Sequence, residues 1–387
     1  MTIFQSVFKS MKARRVPMLL SILAMSISVF LFLTLGKIGN TVKDGFTHAI
    51  SQSDLIVGAK TNPIPFVMAS IFSIGSVSTN ISTETYKKLK NLPTVEWTIP
   101  YSLGDGHKGF RVVGTNNDFF RLYHFRGDAE IEIETGTLPI TKIDAVLGAD
   151  VARELKYKLD QKIIVTHGMA KDQRVLDHAD KPFRIVGIMK STGTALDRSI
   201  YIPLGGMEDL HEGPASITAF FLKAKDQNEI PALQSEINNF KKESLVAVSP
   251  QSVLSDAWNE ISFYNRIFFW ASWAILLIGL TAMLIYFFSG VPEHRERLGE
   301  VEIPVQSIRH LRTLFLGEAF ILLFTAILLG VALAWFGQFL WGPWLAGNFG
   351  FYARGAFLTD DLIINLIIFW LIGTVSTLWP ALKASRI

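Results

Sequence analysis

Formal charge vanishes from this chain in four long stretches, and those blanks dominate its pattern of polar and apolar positions. Val16 to Gly36 runs 21 residues without a charge and is rich in Leu, Ile and Phe. Ile267 to Pro292 is uncharged over 26 residues, Ala319 to Ala353 over 35, and Leu362 to Leu382 over 21. A helix rising about 1.5 Å per residue crosses roughly 30 Å of hydrocarbon in about 20 residues. Each blank therefore predicts a membrane-spanning helix. The third is longer than one span needs, and its second half carries Gly342, Pro343, Gly347, Asn348 and Gly350. Those residues predict that the helix ends near Leu340 and that a turn follows.

Ahead of the first blank, Ile3, Phe4, Val7, Phe8 and Met11 recur at helical spacing, with Lys9, Lys12, Arg14 and Arg15 elsewhere around the wheel. That is the pattern of an amphipathic helix lying in the membrane interface. The first apolar run is long for a signal peptide and ends Phe-Leu-Thr-Leu-Gly-Lys, with no small-residue cleavage site. It reads as an uncleaved anchor.

Between the first two blanks the pattern changes to short alternating elements. Leu55 to Val57, Phe110 to Val113, Ala145 to Gly148, Lys162 to Thr166, Phe183 to Ile188, Ser199 to Ile202 and Ile217 to Leu222 read as strands. Thr83 to Leu92, Ala149 to Leu155 and Ile230 to Phe240 read as helices, the first stopped by Pro93. This predicts a mixed α/β domain in two lobes.

Composition agrees with a membrane protein. Hydrophobic residues make up 49% of the 387 and charged residues 18%, and mean hydropathy is +0.32. A net charge of +3 is too small to point to nucleic acid. There is no cysteine, which excludes disulfides, thiolate metal sites and a cysteine nucleophile, and suits a domain facing an oxidising compartment.

Lys and Arg in the short connections set the orientation. The leader has four; the loop from Glu293 to Thr313 has Arg295, Arg297, Arg309 and Arg312; the tail has Lys383 and Arg386. The connection between the third and fourth spans has only Arg354, beside Asp360 and Asp361. The expected arrangement is an α-helical membrane protein with four transmembrane helices and a large extracytoplasmic mixed α/β domain inserted between helices 1 and 2. Residues 1–15 form the interfacial helix, 16–39 the first span, 40–264 the outer domain and 265–291 the second span. Residues 292–313 form a cytoplasmic segment, 314–341 the third span, 342–361 a short outer loop, 362–382 the fourth span and 383–387 a cytoplasmic tail.

Catalytic signatures are absent: there is no G-x-S-x-G, H-E-x-x-H, C-x-x-C or P-loop. The expectation is a protein that is not an enzyme and binds no cofactor of its own. None of the eight histidines sits at metal-ligand spacing, so no metal ligands are assigned. His167 and His178 with Asp172, Asp177 and Asp180 form the densest polar cluster. It could hold a cation, but it reads better as a solvated loop. Glu318 reads as an acid in the first turn of the third span, favoured there by the helix dipole; an intramembrane relay is its other reading. Ala24 and Ser28, Gly330 and Gly337, and Gly373 and Thr377 are small residues at spacings that let helices approach in lipid.

This layout resembles the FtsX/MacB-type permease subunits of ABC transporters, which include the lipoprotein-releasing permeases. Three motifs carry the resemblance, which covers the whole chain. Ser53-Asp54-Leu55-Ile56-Val57-Gly58-Ala59-Lys60 is similar to a stretch after the family's first span. The order Val146 to Ala152, Phe183 to Ile188 and Gly193 to Leu204 is similar to the family's outer domain, with Gly58, Gly148, Gly187, Asp197 and Pro203 as its structural positions. Trp379 to Arg386 resembles its proline-to-basic ending. A fourth motif is degraded. Glu293 and Glu318 fall where the family has acids, but Ile303-Pro304-Val305 stands where it has Ala-Leu-Gly.

The resemblance implies a MacB-like periplasmic core domain and a place in the bacterial inner membrane with both termini cytoplasmic. It implies that Glu293, Arg295, Glu296, Arg297, Glu300 and Arg309 dock on a cytoplasmic ATPase dimer, which supplies ATP and Mg. It further implies a second permease chain, identical or related, and leaves room for a periplasmic adaptor or carrier. Interior ionisable residues are nearly missing from the spans, so a polar pore is disfavoured. Mechanotransmission to the outer domain, acting on a lipophilic or peptide-like substrate, is the expected role. The alternatives are an FtsX-like scaffold that regulates an outer partner such as a cell-wall hydrolase, and a metal-related ABC system.

Overall fold

A computed structural model describes residues 7, 11–12, 14–48, 52–75, 77, 79–125, 128–167, 180–211, 216–299, 307–349, 351–353 and 356–385; at 46–48, 261–262, 264–265, 291–299, 307–312 and 383–385 it describes the backbone only. The chain divides into two compact units. One comprises Met1–Asn40, Ser262–Gly342 and Ala353–Ile387; the other comprises Thr41–Ile261 and Pro343–Tyr352.

In chain order the described elements are α1 (Arg15–His48), β1 (Leu55–Ala59), α2 (Pro63–Phe72), β2 (Ile81–Ser82), α3 (Thr83–Lys90), β3 (Val95–His107), β4 (Phe110–Thr115), α4 (Asn117–Leu122), β5 (Ile133–Gly136), β6 (Asp144–Leu147), α5 (Ala149–Leu155), β7 (Lys162–Ile163), β8 (Thr166–His167) and β9 (Phe183–Met189). After a 3₁₀ turn at Ala195–Arg198 come β10 (Ser199–Pro203), α6 (Leu204–Leu210), β11 (Ser216–Ile217), β12 (Ala219–Ala224), α7 (Ile230–Asn238) and β13 (Leu245–Val248). The chain then continues as α8 (Pro250–Gly299), α9 (Ser307–Phe349), α10 (Asp360–Ser376) and α11 (Leu378–Ser385).

The helical unit is built from faces at helical spacing. Met25, Val29, Phe32 and Leu33 of α1 cluster with Leu276, Leu280, Met283 and Phe287 of α8. Phe315, Ala319, Leu322, Leu323 and Ala326 of α9, and Leu362, Leu366 and Phe369 of α10, complete the cluster. The opposite faces are apolar too and stand exposed: Leu19, Leu23 and Ile27 on α1, Phe336 and Leu340 on α9, Ile364 and Leu371 on α10. A helix apolar on all sides yet half uncovered needs an apolar solvent. Four helices are long and apolar enough to cross a membrane, over Arg15–Gly45, Arg266–Gly290, Thr313–Phe349 and Asp360–Leu382.

Three helices differ in extent from the expectations. Helix α9 does not end near Leu340; it passes through Pro343 to Phe349. The proline removes only the hydrogen bond to the carbonyl of Phe339, and the rest of a 43-residue ladder holds the helix. Helix α8 begins at Pro250, inside the stretch assigned to the outer domain, and runs unbroken for 50 residues to Gly299, inside the stretch assigned to the cytoplasmic segment. The last apolar blank is two helices, because Pro380 offers no N–H to the carbonyl of Ser376 and the ladder stops there.

The other unit is a mixed α/β domain. Among the described residues its main sheet has the order β13-β1-β12-β3-β4-β10-β6-β9-β5, with β7 on β9 and β8 on β3. The pairs β4–β10 and β6–β9 are parallel. The 13-residue β3 ties two halves together. Through Val95–Tyr101 it pairs with β12, and through Ser102–His107 with β4. Each half has its own core. Leu55, Val57, Phe220, Leu222, Leu233 and Ala247 form one; Val112, Leu147, Val151, Ile185, Ile200 and Met207 form the other.

Candidate functional site

Of the expected structural motif of the α/β unit, Asp197 is the polar member. This residue is fully buried. Its carboxylate accepts from Ser191 Oγ at 2.9 Å, from the Thr192 N–H and Oγ1 at 2.8 Å each, and from the Gly193 N–H at 2.7 Å. Four donors satisfy a charge that would otherwise be costly to bury. The turn it organises leans on Gly148, where a Cβ would stand 2.6 Å from the carbonyl oxygen of Leu196. At Gly58 a Cβ would meet the Phe66 ring at 2.6 Å. Gly187 lies against the backbone at Thr137, and Pro203 ends β10 at the start of α6. These residues shape backbone approaches; none meets a reactive constellation.

A second polar group forms where β8 pairs with β3, in the register that sets Asp105 opposite His167. Asp105 is buried, its side chain 1% exposed, while His167 and His211 are 41% and 43% exposed. His167 Nδ1 lies 3.2 Å from Asp105 Oδ1, and His211 Nε2 lies 3.3 Å from Oδ2. The two imidazole rings are 5.0 Å apart. The sequence had grouped His167 with His178, Asp172, Asp177 and Asp180. Of those partners only Asp180 is within the described residues; among the described residues His167 meets Asp105 and His211, both distant in sequence. Among the described residues, one set of side chains, Asp105, His167 and His211, brings three potential ligand atoms within 4.8 Å of one another.

In the helical unit Arg14, Tyr286 and Glu318, all buried, meet at one place. The Arg14 guanidinium donates to the Tyr286 carbonyl and, at 2.8 Å, to Ser289 Oγ. Its carbon also lies 4.2 Å over the Tyr286 ring. The Tyr286 hydroxyl donates to Glu318 at 3.4 Å. Glu318 is 1% exposed and stands well inside α9, which begins at Ser307. The dipole effect falls off within the first turn, so the first-turn reading of Glu318 gives way to that of a buried acid bonded to the neighbouring span.

Small residues mark where these helices touch. A Cβ on Gly330 would stand 2.6 Å from Val29 Cβ, on Gly337 3.1 Å from the Phe30 ring, and on Gly373 2.9 Å from Leu323. Ser28 Oγ donates to the Ala24 carbonyl, and Thr377 Oγ1 to that of Thr374. Gly279, which spacing did not single out, faces Ser28, its Cβ position 2.8 Å from Oγ. Of the expected ATPase-coupling residues, Glu293, Arg295, Glu296 and Arg297 fall on α8 and Arg309 on α9; their side chains, and Glu300 entirely, lie outside the described residues.

Residues 18–240 match the family described as the MacB-like periplasmic core domain. The chain belongs to that family. It is a MacB/FtsX-type ABC transporter permease. An uncharacterized ABC transporter permease of Methanocaldococcus jannaschii is 24% identical over 98% of this chain and 94% of its own length. Two solved structures are similar to part of the permease. The periplasmic region of MacB from Actinobacillus actinomycetemcomitans covers 54% of this chain and 95% of its own, at 11% identity and a TM-score of 0.38. The extracellular domain of the noncanonic ABC-type transporter YknZ from Gram-positive bacteria covers 51% of this chain and 100% of its own, at 13% identity and a TM-score of 0.34.

Proposed function

We propose that this permease transmits the movement of a separate cytoplasmic ATPase to its α/β unit, rather than enclosing a channel. Two chains flank an ATPase dimer in a bacterial inner membrane. Both termini and the connection between α8 and α9 face the cytoplasm, and the α/β unit faces the periplasm. The chain itself binds no nucleotide and catalyses no reaction. The continuity of α8 carries this reading. Its 50 residues make a rod of about 75 Å, more than twice the roughly 30 Å of the hydrocarbon core. One unbroken helix therefore contains the end of the α/β unit, a span, and the charged run from Glu293 to Arg297. The scarcity of ionisable groups in the spans supports work on the outer face, on a lipophilic or peptide-like substrate.

The test is reconstitution with the co-purifying ATPase. Reversing the charges of Glu293, Arg295, Glu296, Arg297 and Arg309 is expected to abolish co-purification. Glu260→Pro, at an exposed position of α8, breaks the rod at a cost of about 3 kcal/mol to the helix. It is expected to leave the ATPase bound but no longer stimulated by the permease. Stimulation equal to that of the unaltered chain would defeat the proposal.

A further inference from the structure

The group Asp105, His167 and His211 is unexplained by coupling to an ATPase. A carboxylate taken out of water needs strong partners, and among the described residues Asp105 has two neighbours of that kind. Oδ1 faces His167 Nδ1 at hydrogen-bonding distance. Oδ2 is buried and receives no hydrogen bond among the described residues, although His211 Nε2 is 3.3 Å away.

The other nitrogen of His211 sharpens the problem. Nδ1 lies 3.1 Å from the Met207 carbonyl. A carbonyl can only accept, so Nδ1 carries the proton. That leaves Nε2 as the nitrogen facing the buried carboxylate oxygen, a contact that a cation between them, a proton or a metal ion, satisfies. A metal-bound histidine usually has its outer N–H held by a carboxylate, backbone carbonyl or water, and the His211–Met207 contact has that form.

Ligand bonds of about 2.0–2.1 Å in a tetrahedral zinc site set neighbouring ligand atoms about 3.3 Å apart. His167 and His211 stand 3.2 and 3.3 Å from Asp105, each at a different carboxylate oxygen, and the three potential ligand atoms lie within 4.8 Å of one another. His107, the nearest other histidine on β3, is otherwise engaged: Nδ1 donates to the Ile164 carbonyl at 2.6 Å and Nε2 meets the Tyr157 hydroxyl at 2.9 Å.

We propose that Asp105, His167 and His211 form a binding site for a divalent transition-metal cation of the zinc class. Two imidazoles and one carboxylate suit zinc and its neighbours. Magnesium and calcium want six or more oxygens, and a single carboxylate does not meet that demand. The carboxylate forms the floor of the site and the two half-exposed histidines its mouth, so the ion enters from the histidine side and retains water there. Binding displaces the proton between His167 Nδ1 and Asp105, and ties β3, β8 and the end of α6 to one ion.

The full chain, purified in detergent and stripped with a chelator, is titrated with Zn²⁺ against a competing chromophoric chelator. One equivalent per chain is expected, with no equivalent response to Mg²⁺ or Ca²⁺. The His167→Ala/His211→Ala double variant alters only half-exposed side chains. It is expected to lose that equivalent, or to bind more weakly by more than the roughly 10–100-fold that outer-shell changes cost. His124→Ala, which removes an ordinary histidine–aspartate pair with Asp128, is expected to bind as the parent does. Co²⁺ is expected to give the intense visible bands of a tetrahedral site in the parent and to lose them in the double variant. Equal zinc stoichiometry and affinity in parent and double variant would overturn the proposal, as would a parent that binds no zinc. Neither result bears on ATPase coupling, which is read separately by co-purification.

Discussion

Gly330 gives the sharpest test of how the helical unit is packed. An alanine there places a Cβ 2.6 Å from Val29 Cβ and Cγ1 and 2.9 Å from the Ser26 carbonyl oxygen. Carbon atoms rest at about 3.5–4.0 Å from one another, so α1 and α9 must part locally by about 1 Å. The Ser26 carbonyl belongs to a helix backbone and cannot rotate aside. Against this, replacing glycine by alanine in a helix interior gains about 1 kcal/mol. Overpacking costs about 1–3 kcal/mol, so Gly330→Ala is expected to destabilise by up to about 2 kcal/mol. Gly337 is the comparison, two turns further along the same helix. Its Cβ would meet only the edge of the Phe30 ring, at 3.1 Å, and a ring can turn. Gly337→Ala is therefore expected to be neutral or to stabilise by up to about 1 kcal/mol. The assay is unfolding of both variants in one detergent, followed by intrinsic fluorescence against denaturant. If Gly330→Ala proves as stable as Gly337→Ala, the close approach of α1 and α9 at this point is wrong.

Other expectations concern the α/β unit. Asp197→Ala leaves the Thr192 and Gly193 N–H groups buried without their acceptor, at about 1–3 kcal/mol each; denaturant unfolding should show a large loss, and Asp197→Asn a smaller one. In acid, Asp144 and Glu243 should govern stability. Burial pushes both carboxyls up, but the N–H groups of Thr141 and Ile140 for Asp144, and the hydroxyl and N–H of Ser82 for Glu243, outweigh it and hold both below their ordinary values. Stability from a depressed carboxyl is present above the unfolded value and lost as pH falls through the folded one. The melting temperature should therefore drop as pH falls below about 4, and Asp144→Asn should flatten that drop. In alkali the sign reverses. Burial raises the Tyr101 phenol from 10.0 to about 12, so its contribution is complete below pH 10 and lost as pH rises towards the folded value. Circular dichroism and tyrosinate absorbance should change together in that window, and Tyr101→Phe should weaken the coupling.

Reading along the chain was enough for the spans and for most strands, because burial leaves a local mark. A helix in lipid excludes charge for a whole span, which is why Val16–Gly36 and Leu362–Leu382 stand out. A strand buried on both faces reads as a short apolar run, as at Leu55–Ala59 and Ser199–Pro203. The membership in a permease family was legible in the order of such runs and in their glycines. The unbroken course of α8 was not. Its first turns carry Ser255, Asp256, Asn259 and Glu260, a polar stretch that charge mapping assigns to water and that says nothing about helical continuity. The Arg14–Tyr286–Glu318 contacts were equally hidden, since each residue taken alone resembles an ordinary interfacial side chain. Asp105, His167 and His211 lie on three separate elements, and no motif spacing links them. Their meeting depends on the register of β8 against β3 and on where α6 ends. Periodicity records which face of an element is buried; which distant groups share that burial is decided only when the elements pack, because hydrogen-bond register and close backbone approach are long-range contacts with no local signature.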